Sequence, residues 1–121
     1  MKISVLMPAF NAEMFLREAV DSILNQTFGD FEFVIVDDCS TDATRQILEE
    51  YAGRDSRVKL FRNEVNRGIA ATRNRLMAEA SPESDYFALM DADDIALPER
   101  FEKQLEYLEA HPELAAAGSS I

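Results

Sequence analysis

The chain has 121 residues, 47% hydrophobic and 29% charged, a balance that suits one globular domain around one core. Its 23 acidic and 12 basic side chains leave a net charge of −11, so DNA, RNA and anionic lipid are repelled on average, and a phosphorylated ligand must be met through a metal ion, local arginines or helix N-termini. No apolar run reaches membrane-spanning length, the segment after Lys2 is too short for a signal peptide, and the single cysteine, Cys39, excludes an intramolecular disulfide or a cysteine-built metal site, so a cytoplasmic protein is expected.

Apolar runs alternate with helical patterns along the whole chain. Ile3-Ser4-Val5-Leu6-Met7 reads as a first strand closed by Pro8. Asn11 is a candidate cap for a helix whose buried stripe is Phe15, Leu16, Ala19, Val20, Ile23 and Leu24. After the Phe28-Gly29-Asp30 turn, Phe31 to Val36 forms a second strand that ends in Asp37-Asp38. Ser40, Thr41 or Asp42 then caps a helix burying Ile47, Leu48 and Tyr51. Val58 to Phe61 is a short third strand, and the loop Asn63 to Gly68 feeds an alanine-rich helix over about Ile69 to Ala80. Asp85 to Met90 is a fourth strand. Proline at the first helical position, in Leu97-Pro98-Glu99-Arg100, opens a helix that turns Phe101, Leu105 and Leu108 inward and stops before Pro112. Leu114 to Ile121 could begin a fifth strand. Strands separated by helices of about a dozen residues imply parallel βαβ units, and near-continuous apolar strands imply helices on both faces. The expected architecture is a doubly wound, mostly parallel α/β sheet forming one domain over residues 1–121.

The chemistry gathers where strands end in acid. Ligands collect at the carboxyl ends of strands in such sheets. Asp91 and Asp93, one small residue apart after Phe87-Ala88-Leu89-Met90, can reach one hard cation such as Mg²⁺ or Mn²⁺, which would supply the positive charge the chain lacks. As isolated loop acids they would simply be solvated; the apolar strand before them and the second acidic strand end favour the metal. Asp37-Asp38 is either a second ligand edge, accepting hydrogen bonds from a base or ribose, or a cap for the following turn. Phe10, at the end of the first strand, could stack on a planar base, although a lone aromatic is more often core. Arg67-Gly68, with Arg73 and Asn74 in the first turns of the next helix, suits an anionic diphosphate, while Arg73 could equally pair with one of the many acids. Cys39 reads as a small residue filling a turn, and His111 as a cation at a helix end. The chain has no G-x-x-x-x-G-K-[ST], G-x-G-x-x-G or H-E-x-x-H, which weakens the P-loop, dinucleotide and zinc-protease classes.

Five segments in order resemble the family 2 glycosyltransferases of GT-A fold: Ser4-Val5-Leu6-Met7-Pro8-Ala9-Phe10-Asn11, Ser22-Ile23-Leu24-Asn25-Gln26-Thr27, Val34-Ile35-Val36-Asp37-Asp38-Cys39-Ser40-Thr41-Asp42, Asn66-Arg67-Gly68 with Arg73-Asn74, and Met90-Asp91-Ala92-Asp93-Asp94 followed by Leu97-Pro98-Glu99-Arg100. The resemblance covers essentially the whole chain, and Thr72 stands where the family often has alanine. It implies the Rossmann-like, nucleotide-sugar-binding half of a GT-A domain. Pro8, Ala9 and Phe10 would line the base pocket and Asp38 would recognise the base, commonly uracil. Gly68 and Arg73 would lie toward the phosphates, Asp91 and Ala92 near ribose and metal, and Asp91 with Asp93 would hold Mn²⁺ or Mg²⁺. Sugar would pass from a nucleotide-diphosphate sugar to a saccharide or lipid-linked acceptor, with inversion, in cell-envelope polysaccharide synthesis, in the cytoplasm or at the cytoplasmic membrane face. The general base and acceptor region would lie beyond residue 121, so the chain reads as truncated, and its cut face could support a homo-oligomer. Nucleic acid is not an expected partner. Two alternatives stand beside this reading. One is a Mg²⁺-binding receiver-like signalling domain, whose acidic pair should end the first strand rather than the second. The other is a catalytically inactive nucleotide-binding or assembly module.

Overall fold

The computed structural model describes residues 3–110. Eight elements alternate: β1 (Ile3–Ala9), α1 (Leu16–Leu24), β2 (Phe31–Asp37), α2 (Thr44–Arg54), β3 (Val58–Arg62), α3 (Ile69–Glu79), β4 (Tyr86–Leu89) and α4 (Arg100–Ala110). The sheet order is β3-β2-β1-β4, and every pairing is parallel. This is the α/β architecture expected from the sequence. His111 and the expected fifth strand lie outside the described residues.

The period of two along each strand divides the core. Ile3, Val5, Met7 and Ala9 of β1, with Phe31, Phe33 and Ile35 of β2, face α1, α2 and α4 and form the larger cluster. Leu6, Val34 and Val36 point the other way and close over Leu76 of α3. The Phe31 and Phe101 rings meet edge to face at 5.7 Å, joining β2 to α4. The helix stripes emerge largely as expected: Leu16, Ala19, Val20 and Ile23 are buried on α1, Ile47, Leu48 and Tyr51 on α2, and Phe101, Leu105 and Leu108 on α4.

Four expectations need correction. The first strand does not close at Pro8 but continues to Ala9. Leu6 O accepts from Met90 N on the β4 side, so the missing N–H of Pro8, two residues on, falls where β4 has already ended and no ladder bond is lost. Asn11 does not cap α1. The helix begins at Leu16 without a side-chain cap, and Asn11, at φ 47°, accepts a hydrogen bond from Thr41 N instead (2.8 Å). Phe15 consequently falls before the helix and is half exposed. Pro98 lies two residues ahead of α4 rather than at its first position. Finally, β4 is not buried on both faces. Phe87 and Leu89 share the face of Leu6 but are exposed, because α3 packs on β1 and β2 and leaves β4 uncovered.

Candidate functional site

Because β1 connects onward to β2 on one side and lies against β4 on the other, the carboxyl end of β1 is the switch point of the sheet, where an open crevice forms. A cavity of about 260 Å³ opens there, lined by Pro8, Ala9, Phe10, Asp38, Asn66, Gly68, Ile69 and Thr72. Five of the residues expected at the site therefore share one cavity. Phe10 is half exposed rather than core, its ring available at the rim.

Asp38 organises the cavity wall. It is buried, and its Oδ1 accepts from Asn63 Nδ2 and from Arg67 N, both at 2.8 Å, while Oδ2 accepts from Gly68 N at 3.0 Å. Burial pushes its carboxyl pKa up. The bonds from Arg67, Asn63, Gly68 and Thr72 together outweigh burial and hold it below the ordinary carboxylate value. Asn63 is buried and bridges onward, donating to Thr72 Oγ1 (3.1 Å) and accepting from Arg75 Nη1 (3.0 Å). Gly68 stands at φ 86°, in the left-handed region that a side chain would strain, and starts α3 from there. The N–H groups of Arg67 and Gly68 are thus engaged by Asp38 and do not form an open anion cradle.

Asp37 behaves as a turn-closing group. It is buried, and its Oδ1 accepts from Ser40 N (3.2 Å) and from the Ser40 hydroxyl, with Arg62 Nε 3.8 Å from Oδ2. Cys39 sits in that turn at φ 61°. None of the three candidate caps is the N-cap of α2, which is Ala43 without a side-chain cap; Asp42, one residue before it, accepts from Thr44 N at 2.9 Å. Burial pushes the Asp42 carboxyl up, and its bonds to Thr44 and Glu13 bring it below the ordinary value.

At the end of β4, Asp94 N bonds Asp91 O (3.1 Å), closing a turn over Asp91-Ala92-Asp93-Asp94. Ala92 packs inward with the larger core, which leaves its acidic neighbours facing out. Carboxylate oxygens of Asp91, Asp93 and Asp94 lie within 4.8 Å of one another. An all-oxygen, all-anionic donor set at that spacing fits a hard divalent cation. Asp94 was not expected as a ligand, although its place directly after Asp93 was the available signal. Arg73 Nη2 lies 3.7 Å from Asp91 Oδ1, both half exposed. Since Thr72 lines the cavity, the first turns of α3 link cavity and acidic turn.

The segment after the acidic turn is held by residues to which the sequence reading gave no role. Gln26 Nε2 donates to Ser22 O (3.0 Å) and Leu97 O (2.6 Å), and its Oε1 accepts from Phe101 N (3.1 Å), capping α4 from a distance. Ser22 Oγ accepts from Ala96 N (3.0 Å), and Pro98 O accepts from Thr27 N (2.9 Å). Asn66, Ile69 and Thr72 were likewise missed as wall residues, as was Asn63, which holds Asp38 from behind the wall; of these only Asn66 stood in a recognised motif.

Residues 4–121 match the model of glycosyl transferase family 2. The chain is 39% identical over 121 residues to the putative glycosyltransferase EpsE of Bacillus subtilis, covering 99% of this chain and 43% of that protein. It is 36% identical over 106 residues to WfgD of Escherichia coli, a UDP-Glc:alpha-D-GlcNAc-diphosphoundecaprenol beta-1,3-glucosyltransferase, covering 88% and 40%. Among solved structures, Staphylococcus aureus TarS (residues 1–349) in complex with UDP-GlcNAc superposes with a TM-score of 0.84 at 34% identity, over 93% of this chain and 32% of that one. The fold is the parallel α/β sheet shared with these glycosyltransferase structures. The chain belongs to glycosyl transferase family 2, and this sets aside the receiver-like alternative. It spans less than half the length of the relatives it matches. No described helix is long and apolar enough to cross a membrane.

Proposed function

We propose that this chain is the donor-binding part of a glycosyltransferase that moves a sugar from a uridine-diphosphate sugar to a saccharide or lipid-linked acceptor with inversion. The observation that carries the reading is the pairing of one cavity, walled by Pro8, Ala9, Phe10, Asp38 and Gly68, with an acidic turn at the neighbouring strand end, the start of α3 placing Thr72 in the wall and Arg73 at the turn. Support for UDP comes from TarS, solved with UDP and with UDP-GlcNAc, and support for a lipid-linked acceptor from the activity named for WfgD.

In this reading Phe10 stacks on the base, and Asp38 accepts a base N–H on its carboxylate beside the bonds from the loop. Asp91, Asp93 and Asp94 hold Mn²⁺ or Mg²⁺, which when bound supplies a Lewis acid for the departing diphosphate. Arg73 balances Asp91 and, with the metal, the phosphates. The carboxylate that activates the acceptor hydroxyl is assigned to the part of the relatives that this chain does not span. Catalysis takes place in the cytoplasm, at its membrane face where the acceptor is lipid-linked.

Calorimetric titration of UDP, GDP and dTDP, each with Mn²⁺ and again with EDTA, tests the proposal. Saturable UDP binding that requires Mn²⁺ is expected. Equal affinity for all three nucleotides, or no binding of any, refutes the assigned base site.

A further inference from the structure

The acidic turn is seated on the core through the buried Met90, Ala92 and Ala96, and polar bonds fasten both of its ends. On the entering side, Met90 N bonds Leu6 O at 3.0 Å, while Arg100 Nη2 donates to Leu89 O at 3.1 Å and Arg100 Nη1 approaches Met90 Sδ at 3.4 Å. This guanidinium thus stands behind the turn it fastens. On the leaving side everything converges on the carboxyl end of α1. Ser22 takes Ala96 N, Thr27 takes Pro98 O, and Gln26 alone takes both Leu97 O and Phe101 N.

Gln26 is buried and uses both ends of its amide, donating twice and accepting once. No smaller or ionised side chain repeats that pattern: glutamate lacks the donors, and leucine lacks both donor and acceptor. The amide also ties residues 71 and 75 positions away, so it fixes where the chain runs after Asp94. A cation shared by Asp91, Asp93 and Asp94 needs three flexible carboxylates presented together, and its affinity depends on how much of that arrangement exists beforehand.

We infer that Gln26, with Ser22, is a positioning residue for the metal site, holding the 96–101 segment so that the acidic turn presents its three carboxylates as one donor set. The inference rests on the metal reading given under Proposed function. Removing the Gln26 amide loosens the turn and weakens the cation without touching a ligand.

The test is Mn²⁺ affinity, measured with the metal alone by electron paramagnetic resonance well below the melting transition, on wild type, Gln26→Leu, Gln26→Glu, Ser22→Ala and Asp93→Ala. Leu48→Val serves as a control, since it loosens the core on α2, which packs on β3 and α1. Weakening of about tenfold in both Gln26 variants, the scale of losing a supporting partner of a metal site, is expected, with Leu48→Val unchanged at similar loss of stability. If Gln26→Leu does not fold, Ser22→Ala reads the same quantity through the Ala96 bond. Affinity within twofold of wild type in the folded Gln26 and Ser22 variants overturns the positioning role, and so does equal weakening in Leu48→Val. If Asp93→Ala nevertheless abolishes binding, the metal site itself stands. Wild-type protein that binds no Mn²⁺ overturns both.

Discussion

Replacing Asp38 by asparagine removes one charge and swaps one acceptor for a donor, while keeping size and shape. The carboxylate accepts from Asn63 Nδ2 and Arg67 N on one oxygen and from Gly68 N on the other. An amide keeps the first two only by turning its own NH₂ toward Gly68 N, so one charge-assisted bond is lost and two donors face each other in a buried site. A bond to a charged group contributes about 1.5–3 kcal/mol, which puts the loss at about 2–3 kcal/mol. For a chain of this size that lowers Tm by roughly 6–15 °C. The pH dependence has a definite sign. Because the folded pKa lies below the ordinary value, the unfolded chain binds the proton more readily, and the carboxylate stabilises the fold fully above the ordinary carboxylate range. That contribution fades as pH falls through the folded pKa. Urea unfolding of both proteins from pH 8 down to pH 3 should therefore show a constant gap that narrows below about pH 4. Coincident stabilities at pH 7, or a gap that widens on acidification, would refute the account of Asp38 as the anchor of the Asn63–Gly68 loop. Uridine nucleotides should bind the variant more weakly, and UDP titration at pH 7 reads this separately.

Asp93→Ala should abolish Mn²⁺-dependent UDP binding and change urea stability by less than about 0.5 kcal/mol, because the side chain is exposed on a turn; calorimetry and urea unfolding read the two effects. Phe10→Ala should weaken UDP by about 1 kcal/mol, roughly fivefold, for one lost stacking contact, with Tm nearly unchanged since the ring is half exposed; unaltered affinity in calorimetry would remove Phe10 from the base site. Leu76→Ala should cost about 2–5 kcal/mol in urea unfolding, because Leu76 is the fully buried apolar side chain with which α3 closes over Leu6, Val34 and Val36. It should also weaken UDP more than Leu48→Ala, a truncation of the same size at an equally buried leucine, since α3 carries Thr72 and Arg73.

The element order and the inward-facing residues of α2 and α4 were legible because they depend on periodicity, which is local. The two corrections on α1 have one cause. Asn11 is a good cap by composition, yet at φ 47° it bonds Thr41, thirty residues on, and the helix starts a turn later. A propensity argument cannot see a partner at that separation. The same limit hid Asn63, which bonds Asp38 across 25 positions, and Gln26, which bonds Phe101 N across 75. Gln26 did lie in a recognised motif, but a motif marks a position without giving the bond that makes it matter. The acids at the strand ends were readable because strand direction alone sends both to one edge of a parallel sheet. What their spacing could not show is that Asp38 faces inward to anchor a loop while Asp91 and Asp93 face outward.

That difference in direction gives the two acidic strand ends different jobs. Asp38 already accepts hydrogen bonds from Asn63, Arg67, Gly68 and Thr72 and has little charge left to offer a cation, so it suits a neutral, directional partner such as a base N–H. The acidic turn has three carboxylates against two arginines among the described residues, Arg73 at 3.7 Å from Asp91 and Arg100 behind Met90, so net negative charge remains at the turn and suits a metal. A ligand that satisfies both must be planar and polar at one end and anionic enough at the other to share a metal. The first turns of α3 link the two, with Thr72 in the cavity wall and Arg73 at the turn. A nucleoside diphosphate meets both demands; an isolated base meets only the first and a free sugar meets neither.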